Sequence, residues 1–293
     1  MKYDKIFFIY NPSSGKKNLT RRLPVIEKEI AKHCNEYVTV KSKSREFFLS
    51  EVRKACALYD LIIFSGGDGT FNLAANAIKD LGKLPTFAYL PSGTTCDMAY
   101  NLGISKNIKK GIRQIFSAKE KTLNIGRAGN ENFVYVANLG SCSQAVYDTP
   151  DKLKKHFGKT AYALHILSNL KSSFALSEIY VNGEKYVTPL LLVSNSKEIA
   201  SFKINEKFSS SGGKYYLVII KNDKLFGIKN IVYFFLHGVE KSIKKKKIFY
   251  LEGENFTIKN PLGKWSIDGE PFNSPETVEI GFSGSSITVL SRK

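Results

Sequence analysis

Short, mainly apolar runs alternate with amphipathic stretches over the first part of the chain. Lys5–Tyr10, Tyr37–Val40, Leu61–Phe64 and Thr86–Leu90 read as strands, the third being fully apolar as buried parallel strands are. Between and after them, Leu19–His33, Phe47–Leu58, Phe71–Ile78 and Met98–Leu102 place apolar residues at helical spacing, and Gly103 stops the last. The pattern to about Ser117 is βαβαβαβα, which predicts a doubly wound, mostly parallel sheet with helices on both faces. Ligands of such sheets bind at the carboxyl ends of the strands.

The texture changes near Lys121. Leu123–Arg127 and Phe133–Asn138 read as short strands, and Phe157–Ser173 as one amphipathic helix. Ile179–Val181 and Tyr186–Val193 flank Asn182-Gly183, a hairpin signal. Tyr215–Ile220, Ile248–Leu251, Phe256–Ile258, Trp265–Ile267, Thr277–Ile280 and Ser286–Leu290 complete a β-rich second half, as expected of a sandwich. The expected organisation is therefore an α/β domain over residues 1–122 and a β-sandwich over 123–293. The last residues are free to pack back on the first domain, and the site is expected in the cleft between the two.

Three strand ends carry glycine, serine and threonine turns. Gly66-Gly67-Asp68-Gly69-Thr70 follows Leu61–Phe64 directly and opens a helix, so backbone N–H groups and a helix dipole converge on one spot suited to phosphate. Asp68 would repel a bare phosphate. It fits if Mg2+ lies between them, or if the acid orients a hydroxyl nucleophile; as a turn-stabilising residue it would need neither. Asn11-Pro12-Ser13-Ser14-Gly15 and Pro91-Ser92-Gly93-Thr94 repeat the strand–turn–helix arrangement, and Ser42 lies just past the second strand, as a nucleotide contact or a solvated serine. Asp97 reads either as a helix N-cap or as a metal-linked acid.

A net charge of +18 is compatible with nucleic acid, an anionic membrane surface or phosphorylated ligands. The chain shows no nucleic-acid reading module, so nucleic acid is not the expected partner. Lys241 and Lys244-Lys245-Lys246-Lys247 follow the apolar stretch Ile231–Leu236. They form either a solvated face over core residues or a surface that docks on anionic lipid, at ~1 kcal/mol per lysine. Cys34, Cys56, Cys96 and Cys142 have no metal-like spacing and read as reduced thiols of a cytoplasmic protein. The four histidines show no metal-ligand pairing. The start resembles no signal peptide, and no apolar stretch approaches the ~20 residues of a membrane span.

With these motifs assembled, the chain resembles the diacylglycerol kinase-like lipid kinases, the bacterial soluble branch with distant similarity to sphingosine kinases. Asn11-Pro12 with Ser14-Gly15 looks like that family's first nucleotide loop, and Gly66–Thr70 with Asn72 matches its central motif. Leu90–Thr94 through Asp97, then Leu102-Gly103-Ile104, is similar to the third loop. Gly158-Lys159 with Tyr162 falls at a similar helix start. Asp268-Gly269-Glu270-Pro271 resembles the late motif carrying the catalytic acid. NAD kinases share the central motif and a similar fold.

The resemblance implies ATP-dependent, Mg2+-assisted phosphorylation of a lipid hydroxyl, diacylglycerol first and a sphingoid or other lipid alcohol second. It implies Glu270, Asp68 and Asp268 as catalytic, and Asn11, Pro12, Ser14, Gly15, Ser42, Gly66, Gly67, Asp68, Gly69, Thr70, Asn72, Pro91, Gly93 and Thr94 as nucleotide-binding. Asp68 and Asp97 would meet Mg2+. Location at the inner face of the membrane follows, with a homodimer left open. Alternatives are a kinase for a soluble substrate and a non-catalytic, nucleotide-responsive lipid-binding protein. Cys96 stands where the family has Asn, and serines replace glycine around Ser141–Ser143. The glycine run and following Pro expected over Asn195–Phe208 are missing. Ser211-Gly212-Gly213 replaces an Asp-Asp-Gly that holds a structural Mg2+, so that metal is not expected here.

Overall fold

The first strand, β1 (Tyr3–Tyr10), passes from an exposed start into the buried run Ile6–Tyr10. After it come α1 (Leu19–Ile30), β2 (Cys34–Lys41), α2 (Arg45–Ala55), β3 (Leu61–Gly66), α3 (Asp68–Ala77), β4 (Thr86–Pro91), α4 (Asp97–Leu102) and α5 (Ile108–Phe116). The computed structural model describes residues 3–14, 19–79, 81–93, 96–140, 176–199, 202–209, 211–223, 227–259 and 265–293. They fall into two units, residues 1–125 with 284–293 and residues 126–283.

In the first unit β2, β1, β3 and β4 lie side by side in that order, all parallel. Helices α1 and α5 pack together, as do α2 and α3, which gives the sheet its two helical faces. Ser44 caps α2 by accepting the Phe47 N–H at 3.1 Å, a bond of the kind that contributes ~1 kcal/mol. Strand β3 is buried at every position, as its unbroken apolar run requires.

The second half contributes β5 (Lys119–Ala128), β6 (Glu131–Phe133), β7 (Val136–Leu139), β8 (Ser177–Val181), β9 (Glu184–Thr188), β10 (Leu191–Ser194), β11 (Glu198–Ile199), β12 (Phe202–Lys203), β13 (Tyr215–Ile220), α6 (Ile228–Lys244), β14 (Ile248–Gly253), β15 (Asn255–Lys259), β16 (Trp265–Ile267), β17 (Glu270–Phe272) and β18 (Thr277–Ser291). One antiparallel sheet runs β14-β13-β10-β7-β16-β17. A second antiparallel set in this unit joins β9, β8, β15 and the start of β18. Alternate residues of the two sets meet in one core: Leu139, Val193, Leu217 and Ile219 with Ile179, Ile258, Val278 and Ile280. Each side chain withdrawn this way stabilises by roughly 1.5–3 kcal/mol. This is the α/β plus β-sandwich architecture that the periodicity predicts.

Three local expectations change. Tyr186–Val193 is not one strand: β9 ends at Thr188, and β10 begins in the other sheet after Pro189 and Leu190. Phe133–Asn138 is interrupted at Val134 and Tyr135, whose amides turn to a side chain described below. The apolar stretch Ile231–Leu236 lies in α6, with Ile231, Phe234 and Phe235 buried, so those residues are core. The predicted helix Phe157–Ser173, with Gly158, Lys159 and Tyr162, lies outside the described residues, as do Ser141–Ser143.

Candidate active site

The strand order β2-β1-β3-β4 reverses direction between β1 and β3, and such a switch point is where open α/β sheets bind ligands. The turns after β1, β3 and β4 meet there. Asn11 N–H donates to the Ser65 carbonyl at 2.9 Å. The Ser92 and Gly93 N–H groups donate to the Gly66 carbonyl at 2.9 and 3.0 Å. The Ser65 hydroxyl donates to the Ser92 hydroxyl at 3.1 Å, and the Tyr89 hydroxyl reaches the Gly66 carbonyl at 3.0 Å.

Glycine is demanded here by close approach. A Cβ on Gly93 would lie 2.5 Å from the Gly67 Cα, and one on Gly66 would lie 2.0 Å from the Thr70 Oγ1. A side chain at 93 would force the two turns apart, and one at 66 would displace Thr70 within its own turn. Thr70, buried, lies against Gly66 and starts the helix by donating its N–H to the Gly67 carbonyl at 3.0 Å. The N–H groups of Asp68 and Gly69 belong to the first turn of α3, where helical geometry supplies no intrahelical acceptor. Together with the helix dipole they make a seat for phosphate.

Asp68, half-buried, bridges two turns. Its carboxylate accepts the Asp97 N–H at 3.0 Å and the Met98 N–H at 3.1 Å. Helix α4 has no side-chain cap of its own, since Cys96 precedes it in the left-handed region with φ 53°. Asp68 therefore caps α4 from 29 residues away, an arrangement in the range of ~0.5–2 kcal/mol. Burial raises its carboxyl above the ordinary carboxylate range, while the Met98 and Asp97 amides and the charge of Lys106 pull the other way. The Cys96 thiol is pushed by burial up to about 11. It sits 3.7 Å from the Gly66 carbonyl as a protonated donor.

Mg2+ uses one or two carboxylates plus phosphate oxygens and water. Asp68 suits that need, its carboxylate being held in place by the Asp97 and Met98 amides. Asp97 is withdrawn from solvent, at 1 % exposure. Its N–H donates to the Asp68 carboxylate, which ties the two acids together at the start of α4.

Of the other nucleotide candidates, Asn11 folds its loop by accepting the Ser13 N–H on its side chain at 2.9 Å and the Ser14 N–H on its carbonyl at 3.3 Å. Pro12 fills the turn between them. Pro91 ends β4. Asn72 is buried and accepts from the Asn76 side chain at 3.0 Å. The Ser42 N–H donates to the Tyr10 carbonyl at 2.9 Å and its hydroxyl to the Ser44 carbonyl at 3.1 Å, which ties it to the end of β1. Gly15 and Thr94 lie outside the described residues. Sequence reading passed over Ser65, Tyr89 and Lys106. The first two sit inside apolar strands and read as core; Lys106 is one of many surface lysines.

In the second unit, Asp268 and Gly269 form a two-residue turn between β16 and β17, with φ 49° and 93° and with Ile267 opposite Glu270. Asp-Gly suits this type I′ geometry. Asp268 is buried. One carboxylate oxygen accepts the Val134 N–H at 2.7 Å, and the other accepts the Tyr135 and Val136 N–H groups, both at 3.0 Å. Its own N–H returns to the Val136 carbonyl at 2.8 Å. That carboxylate anchors the turn to the backbone of residues 134–136. Glu270 beside it is exposed.

Of the basic run, Lys241, Lys245 and Lys246 are exposed. Lys247 is not part of an open face: half-buried, it donates to the Asn230 side chain at 2.8 Å and lies 5.1 Å over the Tyr233 ring. Lys244 pairs with Glu240 at 3.2 Å. Among the described residues no helix is long and apolar enough to cross a membrane.

Residues 5–128 match the family profile described as the diacylglycerol kinase catalytic domain. The chain is 28% identical over 274 residues to a diacylglycerol kinase of Bacillus subtilis, covering 89% of this chain and 88% of that one. It is 29% identical over 271 residues to one of Staphylococcus epidermidis, covering 89% and 84%. Its fold matches the crystal structure of a diacylglycerol kinase from Bacillus anthracis with a TM-score of 0.78 at 19% identity, covering 100% of this chain and 98% of that one. The profile match spans β1 to β5 and so contains all three turns of the switch point; this part of the chain is similar to the catalytic domain of the diacylglycerol kinases, which are phosphotransferases with an alcohol acceptor.

Proposed function

We propose that the protein transfers the γ-phosphoryl group of ATP to the hydroxyl of diacylglycerol. The observation that carries the nucleotide half is the apposition of Gly67 and Gly93, which brings two phosphate-seating turns together at the switch point. In this reading the N–H groups of Asp68 and Gly69 and the turn at Ser92–Gly93 hold phosphate oxygens, while Asn11 shapes the loop over them. Asp68 would hold Mg2+, which would supply neutralisation of the charge that develops on transfer. Asp97 and Met98 fix Asp68 through their N–H groups. Asp268 fixes the turn that presents Glu270, and Glu270 takes the proton of the acceptor hydroxyl.

A lipid acceptor is supported by the surface of the second unit. Ile243, Phe249 and Leu251 are exposed apolar residues near Lys241, Lys245 and Lys246 in the chain. Apolar residues with lysines of this kind suit a peripheral position on the anionic inner face of a membrane. Incubation with labelled ATP, Mg2+ and a panel of lipids tests the proposal. Labelled phosphatidic acid is the expected product. Glu270→Gln is expected to lose turnover while keeping ATP-dependent thermal stabilisation. Turnover of a water-soluble alcohol without lipid, or no product from any lipid, overturns it.

A further inference from the structure

A pocket of about 380 Å³ lies beside α5, with Lys109, Lys110, Arg113 and Arg292 on its walls. It belongs to neither the phosphate seat nor the lysine-rich surface of the second unit. Helix α5 buries Gly111, Ile112 and Ile115. Lys109, Lys110 and Arg113 follow at helical spacing on the remaining, exposed side. Arg292 is brought to them by the end of the chain, its N–H donating to the Leu102 carbonyl at 2.8 Å.

The chemistry of the lining is one-sided. Among the described residues no carboxylate side chain lines the pocket. Glu29 lies 4.0 Å from Arg113 and is already bonded to Lys32 at 2.7 Å. The two lining amides are oriented by the backbone. The Asn107 side-chain oxygen accepts the Lys110 N–H at 3.1 Å, and the Gln114 oxygen accepts the Ser105 N–H at 2.8 Å. A backbone N–H only donates, so these bonds fix which end of each amide is oxygen. Both NH2 groups remain as donors. Four cations and two amide donors around one pocket, with each amide oxygen turned to a backbone N–H, select an anion that takes several hydrogen bonds at once. A phosphate group has that charge and that number of acceptor oxygens, and arginine matches it with a two-pronged fork.

We propose that this pocket is a second anion site, distinct from the nucleotide seat, that binds a phosphate group. The group comes either from free phosphate or from the headgroup of an acidic lipid. The proposal is independent of the kinase reading, because its test measures binding and no turnover.

The full chain is titrated calorimetrically at low chloride with inorganic phosphate and, separately, with dihexanoyl phosphatidic acid below its micelle concentration. Lys110→Gln/Arg292→Gln is expected to weaken binding of at least one ligand by about tenfold or more, while Lys54→Gln/Lys185→Gln, at exposed lysines of other elements, binds as the parent does. Binding of phosphate as tightly as of the lipid identifies free phosphate as sufficient. A preference for the lipid of about tenfold identifies the headgroup. Both exchanged side chains are exposed, and circular dichroism checks the fold. Should the double variant not fold, K110Q and R292Q singly must each weaken binding. Absence of binding of both ligands by the parent, or unchanged binding by the charge-removed variants, overturns the proposal; the latter places the anion in the nucleotide seat.

Discussion

Exchange of Asp268 separates an anchoring acid from a reacting one. Its carboxylate receives three N–H groups from consecutive residues, at 2.7, 3.0 and 3.0 Å, in a buried place. In Asp268→Asn the amide oxygen keeps the Tyr135 and Val136 bonds, but the NH2 group then confronts the Val134 N–H. One charge-assisted bond is lost and a buried donor is stranded, a cost of about 2–3 kcal/mol. Asp268→Ala strands all three donors and places alanine at φ 49°, for roughly 3–6 kcal/mol. Urea unfolding measures the cost, and hydrogen exchange at residues 134–136 locates it, with protection lost there first. Activity is expected to fall in step with the population that keeps the Glu270 turn folded. If Asp268→Asn unfolds at the parent's urea concentration, keeps protected amides and yet has no turnover, the anchoring argument is refuted and the acid takes part in the chemistry.

Other perturbations probe the first unit and the lysine face. Gly93→Ala is expected to abolish ATP-dependent thermal stabilisation, because the new methyl meets backbone rather than a movable side chain; normal nucleotide affinity would refute the close-approach argument. Since burial raises the Asp68 carboxyl, the folded state holds that proton more tightly than the unfolded chain. Stability from this group therefore falls as pH rises from the ordinary carboxylate pKa to the raised one, and the ionised acid needed for Mg2+ appears only above the latter. The acid limb of kcat/KM should lie above the ordinary carboxylate pKa of ~4, and Asp68→Asn should remove activity at every pH; a limb at that ordinary value counts against Asp68 as its source. Cys96→Asn should stabilise by about 0.5–1 kcal/mol, because Asn tolerates the left-handed backbone better than Cys; a lower Tm would show that the thiol's packing outweighs the backbone strain. Lys241→Gln/Lys245→Gln/Lys246→Gln should reduce flotation with phosphatidylglycerol vesicles, by ~1 kcal/mol per lysine at low salt; unchanged flotation removes that surface from the membrane contact.

The first unit was legible because its signals are local. The apolar run at Leu61–Phe64, the glycines after it and the helical spacing from Phe71 all sit within a few residues of one another. What holds the site together is not local. The contact between Gly67 and Gly93, and the capping of α4 by Asp68, depend on parallel register between β3 and β4, which no single stretch encodes. Asp68 thus reads in sequence as a metal-facing acid, while its two amide partners lie some thirty residues ahead. Asp268 shows the same limit from the other side. Its Asp-Gly turn is plain in the sequence, but its three N–H partners lie more than 130 residues earlier. Pro189 does break a strand, as proline should, yet an apolar run on both sides hides the break.

The final strand has a consequence for how the protein is made. Thr277–Gly281 of β18 pairs with β15 in the second unit, whereas Val289 of the same strand pairs with Phe87 of β4 in the first. The amino-terminal parallel layer therefore lacks its last parallel neighbour until synthesis has passed Val289, roughly 200 residues after β4. Emerging domains ordinarily fold in order of synthesis. Here the nucleotide-seating half must wait, with the flank of β4 open, and so is the half that chaperones would be expected to guard during translation.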